Sequence, residues 1–248
     1  MSKKEVYIND MLNVEYEDCN VLRQTDDTKI LSYKHKHSNN KLIVINSSNQ
    51  NDVVFNMLKG QKSINLPKVY DVCCGEEKLI ILEQFIDGDN LADLASHEKI
   101  SKEKAIKYCL DICKALEYLH NRRIVHRDIK PLNVIIDKTD TAVLIDLQTA
   151  RLISNEKEKD TQNLGTVGYA APEQYGIFQS LPATDIYALG VMLNELLLGK
   201  HPSVEMPKGS LGRIIEKCTD INIAKRYQAV EELEKDLKRA FKHKRRIK

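Results

Sequence analysis

The sequence predicts an α+β chain in two parts: a small antiparallel sheet with one helix, then a mostly helical remainder. Three observations carry that expectation. Short runs rich in β-branched residues, broken by polar turns, fill much of residues 16–82. Apolar stripes at helical spacing dominate after residue 100. Within the second part, a polar loop at residues 126–133 stands between two apolar flanks.

The first residues, 1–12, suit a short leading helix. Strand-like runs follow at Asn20–Leu22, Lys29–Tyr33 and Lys41–Ile45, separated by polar turns at Gln24–Asp27 and Lys36–Asn40. Val53, Val54, Met57 and Leu58 recur at helical spacing and predict a short helix within 50–62, weakened or ended at Gly60. Leu66–Val72 and Lys78–Leu82 are further strands, joined by a turn at Gly75. Ser101 is a candidate N-cap with Glu103 in the first turn. The stripe Ile106, Cys109, Leu110, Cys113, Leu116 and Leu119 then marks one core-facing helix. Ile186–Leu198 is an apolar helix closed by Gly199, and residues 228–241 form a last helix.

At 248 residues the chain can bury a sizeable core, as one large domain or two lobes. A net charge of +2 excludes a general preference for nucleic acid. No apolar run approaches the length of a transmembrane helix, and Met-Ser-Lys-Lys-Glu lacks the apolar core of a signal peptide. The cysteines at 19, 73, 74, 109, 113 and 218 are irregularly spaced and are expected to be reduced, which suits a cytoplasmic location.

The chemistry concentrates in residues 124–146. Ile124-Val125 and Val134-Ile135-Ile136 are apolar strands, and Pro131 between them forbids a regular helix or a central strand. The segment between is therefore a loop. It presents an acid, Asp128, a cation, Lys130, and an amide, Asn133; the later run Val143-Leu144-Ile145 ends in a second acid, Asp146. An acid to orient a hydroxyl, a cation for a phosphoryl oxygen, and an amide plus an acid for a divalent metal are what phosphoryl transfer requires.

These residues resemble the catalytic loop of protein kinases, whose pattern is H-R-D-x-x-x-x-N. His126, Arg127, Asp128 and Asn133 match it, and Lys130 matches its serine/threonine type. Asp146-Leu147-Gln148 stands where that family has D-F-G, and Ala171-Pro172-Glu173 matches A-P-E. The stretch from Gly165-Thr166 to Tyr175 and Asp185–Gly190 look like bacterial serine/threonine kinases. The resemblance covers about residues 13–240 and implies a bilobal kinase-like fold, with an N-lobe at about 13–83, a hinge at 83–87 and a C-lobe at 88–240. A basic tail, 241–248, is left over; Lys238 to Lys248 hold seven Lys/Arg that suit an anionic surface.

The resemblance also implies roles. Asp128 is the catalytic base or hydroxyl-orienting acid, and Lys130 neutralises the transferred group. Asn133 and Asp146 hold magnesium, with manganese as an alternative. ATP is the phosphate donor and a protein hydroxyl the acceptor. Leu31, Val44, Leu82 and Ile135 line the adenine pocket, and Glu83 and Phe85 belong to the hinge. His126 is a packed spine residue. Arg127 awaits a phosphate on the activation segment, residues 146–173, with Thr161 the preferred site, while Thr166 bonds Asp128 and Lys130. Glu173 pairs with Arg226, and Asp185 accepts hydrogen bonds from the loop backbone.

The first part departs from the family pattern. No glycine precedes Gly60, and the three phosphate-loop glycine positions fall on about Gln24, Asp26 and Lys29. Asn46 stands at the third-strand lysine position and Val54 at that of its glutamate partner. Kinases called "with no lysine" supply the phosphate cation from the place of Lys29, so Lys29 is the candidate substitute. Gln148 in place of glycine restricts the backbone there. Residues between Gly199 and Ile214 leave little room for the helix that usually helps dock protein substrates. The expected function is a serine/threonine protein kinase with an atypical phosphate-binding N-lobe; the alternative is a pseudokinase serving as a nucleotide-binding or regulatory module.

Overall fold

A computed structural model describes residues 2–49, 52–75, 77–153, 166–175 and 179–243. The chain divides into two units, Met1–Asp87 and Gly88–Lys248.

The first unit begins with a helix, α1 (Lys3–Glu15). Ser2 caps it, its side chain accepting from the Glu5 amide at 3.1 Å. Five antiparallel strands follow: β1 (Tyr16–Gln24), β2 (Thr28–His35), β3 (Lys41–Ser47), β4 (Val69–Cys74) and β5 (Leu79–Gln84). They pair in the order β1-β2-β3-β5-β4. The turn between β1 and β2 is closed by Thr25, whose amide donates to the Thr28 carbonyl at 2.8 Å. Asp27 in that turn is held by the Ser48 hydroxyl at 3.0 Å. A short helix, α2 (Val53–Leu58), stands between β3 and β4 and buries Val54, Phe55 and Leu58.

Residues opposite one another in a sheet share a face, and neighbours along a strand alternate. The register Leu31↔Val44↔Leu82 therefore makes one row, and Lys29↔Asn46↔Ile80 the next row on that face. Ile8 and Leu12 of α1, one turn apart, pack onto this face and form one buried cluster with Leu31, Leu42, Val44, Cys73, Ile80 and Leu82. Each such side chain contributes about 1.5–3 kcal/mol on burial. Leu31, Val44 and Leu82, expected at an adenine pocket, lie on the sheet face against which Ile8 and Leu12 pack. The opposite face carries Ile30, Ile43, Ile45 and Ile81, with Glu83 buried at its end.

The second unit opens with β6 (Gly88–Asn90) and α3 (Leu91–His97). The long helix α4 (Lys102–His120) starts where Ser101 accepts from the Lys104 amide at 3.2 Å. It packs against α5 (Pro182–Leu198) and α7 (Val230–His243). Between them lie β7 (Ile124–Val125), β8 (Val134–Asp137), β9 (Ala142–Leu144) and β10 (Arg151–Leu152); β6, β8 and β9 form one sheet, and β7 pairs with β10. Pro182 opens α5 at a position where a missing N–H costs nothing, and Gly199 closes it in the left-handed region at φ 66°. Residues 199–209 contain no helix, so α6 (Ser210–Cys218) follows directly. A Cβ on Gly190 would stand 2.4 Å from that of Cys218, so glycine is what lets α5 approach α6. Cys109, Cys113 and Cys218 are buried free thiols, as their irregular spacing predicts.

Candidate functional site

The loop after β7 is built by hydrogen bonds to its backbone. Asp185, near the start of α5 and fully buried, accepts from the His126 amide at 2.9 Å and the Arg127 amide at 2.8 Å. It also meets His120 Nε2 at 2.9 Å. Two carboxylate oxygens thus fix three groups, and Arg127 is held at φ 71°, a conformation a non-glycine residue adopts only when its surroundings enforce it. His126 is buried, with Nε2 3.2 Å from the Ile145 carbonyl. Gln174 donates to the Arg127 carbonyl at 2.8 Å and accepts from the Ala171 amide at 2.9 Å, tying the later segment to the loop.

On this frame the polar side chains converge. Asp128 Oδ2 accepts from Lys130 Nζ at 2.7 Å and from Asn133 Nδ2 at 2.9 Å. Its other oxygen accepts from the Thr166 hydroxyl at 2.7 Å, and Thr166 in turn accepts from Lys130 at 2.6 Å. Burial by itself raises the pKa of Asp128, but hydrogen bonds from Lys130, Thr166 and Asn133 and the charge of Lys130 outweigh it and hold the carboxyl below its ordinary range. Asp128 is therefore an acceptor at neutral pH, able to orient a hydroxyl placed before it.

Asn133 and Asp146 come together through the β8–β9 hairpin: Val134 opposes Leu144, and the Ile145 amide donates to the Asn133 carbonyl at 2.9 Å. Asp146 has φ 66°, and its Oδ1 faces the Gln148 amide at 3.4 Å. The Asn133 amide nitrogen is spent on Asp128, which leaves its side-chain oxygen as the acceptor. An amide oxygen and a carboxylate are hard donors, and Asn133 and Asp146 would be the residues to hold a magnesium ion. Ile135, half-buried, lies two residues beyond Asn133 on β8.

The segment after Asp146 starts zipped to the loop. Arg151 and Leu152 pair with Val125 and Ile124, Thr149 donates to the His126 carbonyl at 3.0 Å, and Arg127 Nε donates to the Thr149 carbonyl at 2.6 Å. Thr161, the expected phosphosite, lies outside the described residues. At the segment's far end, Glu173 and Arg226 form a buried two-point ion pair at 2.7 and 2.9 Å, with the Thr184 hydroxyl on the same carboxylate at 2.8 Å. The expected bridge is thus in place and fully hydrogen-bonded.

A cavity of about 580 Å3 opens beside the loop, lined by Lys130, Leu132, Thr166, Tyr169, Glu195 and Leu196 among others. The Tyr169 hydroxyl hydrogen-bonds Glu195, and its burial together with that carboxylate pushes its pKa up. Sequence reasoning missed His120, Gln174, Tyr169 and Glu195. Gln174 and Tyr169 fall within the stretch Gly165-Thr166 to Tyr175 already noted for its resemblance; His120 and Glu195 are distant in sequence from the residues they meet.

The first unit places its predicted residues differently. Lys29 and Asn46 are cross-strand neighbours on the face covered by α1. Glu83 and Phe85 stand at and just past the end of β5, with Lys41 over the Phe85 ring at 4.8 Å.

Residues 19–244 match the family described as "Protein kinase domain". The chain is 30% identical over 202 residues to serine/threonine-protein kinase PrkC of Bacillus subtilis, covering 71% of this chain and 31% of that protein. It is 30% identical over 167 residues to serine/threonine-protein kinase A of Synechocystis, covering 62% of this chain and 32% of that protein. An Aurora kinase of Candida glabrata is 28% identical over 232 residues, 89% of this chain and 64% of that protein. The matched region spans about a third of the length of the two bacterial relatives.

Proposed function

The chain belongs to the protein kinase family, and on that premise we propose that it transfers the terminal phosphoryl group of ATP to a serine or threonine hydroxyl of a protein. The observation that carries this reading is the closed set of hydrogen bonds around Asp128, shared with Lys130, Asn133 and Thr166. A structural turn needs no such convergence of an acid, a cation and a hydroxyl.

Asp128, ionised and fixed, orients the acceptor hydroxyl and takes up its proton as the new P–O bond forms and the bond from the terminal phosphorus to the bridging oxygen breaks, releasing ADP. Lys130, 2.7 Å from Asp128, supplies positive charge to the transferring group and keeps the carboxylate ionised until then. Asn133 and Asp146 would hold magnesium, which neutralises phosphate charge when bound. Ile135 is a base-contacting residue on β8. Thr166 and Tyr169 form the wall on which the acceptor segment rests, and the cavity beside them has room for extended polypeptide.

The class of acceptor is tested by incubating the chain with magnesium, ATP and a generic basic protein, then mapping phosphate by mass spectrometry. Phosphoserine and phosphothreonine are expected. Phosphotyrosine alone, or a modified small molecule with no modified protein, contradicts the reading. Binding of ATP without any transfer supports the pseudokinase instead.

A further inference from the structure

Gln174 is buried, and the transfer described above gives it no role. It stands in the short helical turn Pro172–Tyr175, directly after Glu173. A buried side-chain amide needs partners at both its ends. Here they lie on two different segments. Oε1 accepts from the Ala171 amide at 2.9 Å, and the Gln174 backbone amide donates to the Ala171 carbonyl at 2.9 Å. Nε2 donates to the Arg127 carbonyl at 2.8 Å.

Each end touches something that bears on the chemistry. The Arg127 carbonyl belongs to the peptide plane that carries the Asp128 amide, so its orientation sets where the Asp128 side chain starts. The Arg127 amide is held by Asp185 at 2.8 Å, and its φ is 71°. A residue kept in that region needs restraint from its surroundings, and Gln174 supplies it on the carbonyl side. Ala171, at the other end, follows the turn that begins at Thr166. There the Tyr169 and Ala170 amides donate to the Thr166 carbonyl at 2.9 and 3.0 Å. The Thr166 hydroxyl then donates to Asp128 at 2.7 Å. The bonds close a circuit: from Asp128 through Thr166 and Ala171 to Gln174, and back through Arg127 to Asp128.

We propose that Gln174 is a positioning residue for the polypeptide acceptor. It holds the wall of Thr166 and Tyr169 in register with Asp128, so that a hydroxyl resting on that wall meets the acid at reacting distance. The inference rests on the transfer reading above and gives Gln174 no contact with ATP or magnesium. Its nearest substitutes fail for stated reasons. Glutamate still accepts from Ala171 but sets a second oxygen against the Arg127 carbonyl, and methionine, of similar length, has no donor. Small displacements suffice, since about 1 Å of misplacement costs about 10²-fold in rate.

The test is steady-state transfer by the full chain with magnesium, ATP and a peptide carrying the residue that wild type labels in the basic protein. In Gln174→Met and Gln174→Glu, kcat/KM for the peptide should fall about ten- to hundredfold, while KM for ATP stays within about twofold. Thr166→Val opens the same circuit at its other joint. The double variant Gln174→Met/Thr166→Val should therefore lose less than the product of the two single losses. Circular dichroism checks each fold, and Gln174→Glu, which keeps one bond, carries the test where Gln174→Met does not fold. An unchanged kcat/KM in a folded variant, a rise in KM for ATP to match that for the peptide, or strictly multiplicative losses would overturn the proposal. Unfolding of both single variants would also overturn it, by making Gln174 a keystone of the fold and not of the site. A wild type that labels no protein would overturn the transfer reading instead.

Discussion

The loop of the second unit and the sheet of the first treat their polar side chains in opposite ways. Around Asp128, each charged group is bonded to the next, from Lys130 through Thr166 and Asn133, on a backbone pinned by Asp185. Along the α1 side of the sheet, Lys29, Asn46 and Lys78 face a hollow with no side-chain partners among the described residues, and order comes from Ile8 and Leu12 packing on Leu31 and Val44. One region is held by hydrogen bonds that also position reacting groups. The other is held chiefly by apolar contact, with Lys4 of α1 also paired to Asp71 of β4 at 2.8 Å. Precise chemistry therefore belongs to the second unit, and the first can tolerate changes to its polar residues that the second cannot.

Arg226→Ala should break this contrast most severely. It strands the buried Glu173 carboxylate and should cost about 3–5 kcal/mol in chemical denaturation. A loss under about 1 kcal/mol would mean the pair is not a keystone of the second unit. Lys130→Ala removes the cation from Asp128 and should lower the transfer rate by about 10²–10³-fold. An unchanged rate would detach Lys130 from the chemistry.

The titration of Asp128 sharpens the same point. Its pKa is lowered in the folded chain, so its stabilising contribution is complete above the unfolded value, about 4, and disappears as pH falls through the folded value. The stability gap between wild type and Asp128→Asn should therefore be constant near neutrality and shrink on acidification in urea unfolding. A gap that grows as pH falls would reverse the sign. The smallest effects belong to the sheet. Ile8→Val should cost about 1 kcal/mol, and Lys29→Gln should change stability by less than about 0.5 kcal/mol. A larger cost for Lys29→Gln would show that the hollow is a structural joint.

The same contrast explains what could be read from residues alone. Asp128, Lys130 and Asn133 lie within six residues of one another, and the loop that carries them is bounded by apolar strands and a proline, so their spacing already implies convergence. Glu173, Asp185 and Arg226 were recognisable by family resemblance, and each has the partner expected of it. The strands of the first unit were legible as strands, but not their faces. In a run such as Leu42-Ile43-Val44-Ile45, both faces are apolar, and without a glycine loop or a lysine nothing in the sequence anchors the register. The role of α1 was hidden for a related reason. Only Ile8 and Leu12 among its apolar residues are buried, too few for a clear stripe, and the face they cover is assembled from strands far along the chain.

The most direct test is transfer of labelled phosphate from ATP with magnesium, comparing wild type with Asp128→Asn. Label on a protein acceptor with wild type, and at least about 10²-fold less with the variant, is the predicted result. Equal labelling by both, or none by either despite magnesium-dependent ATP binding, would contradict an active kinase built on the Asp128 loop.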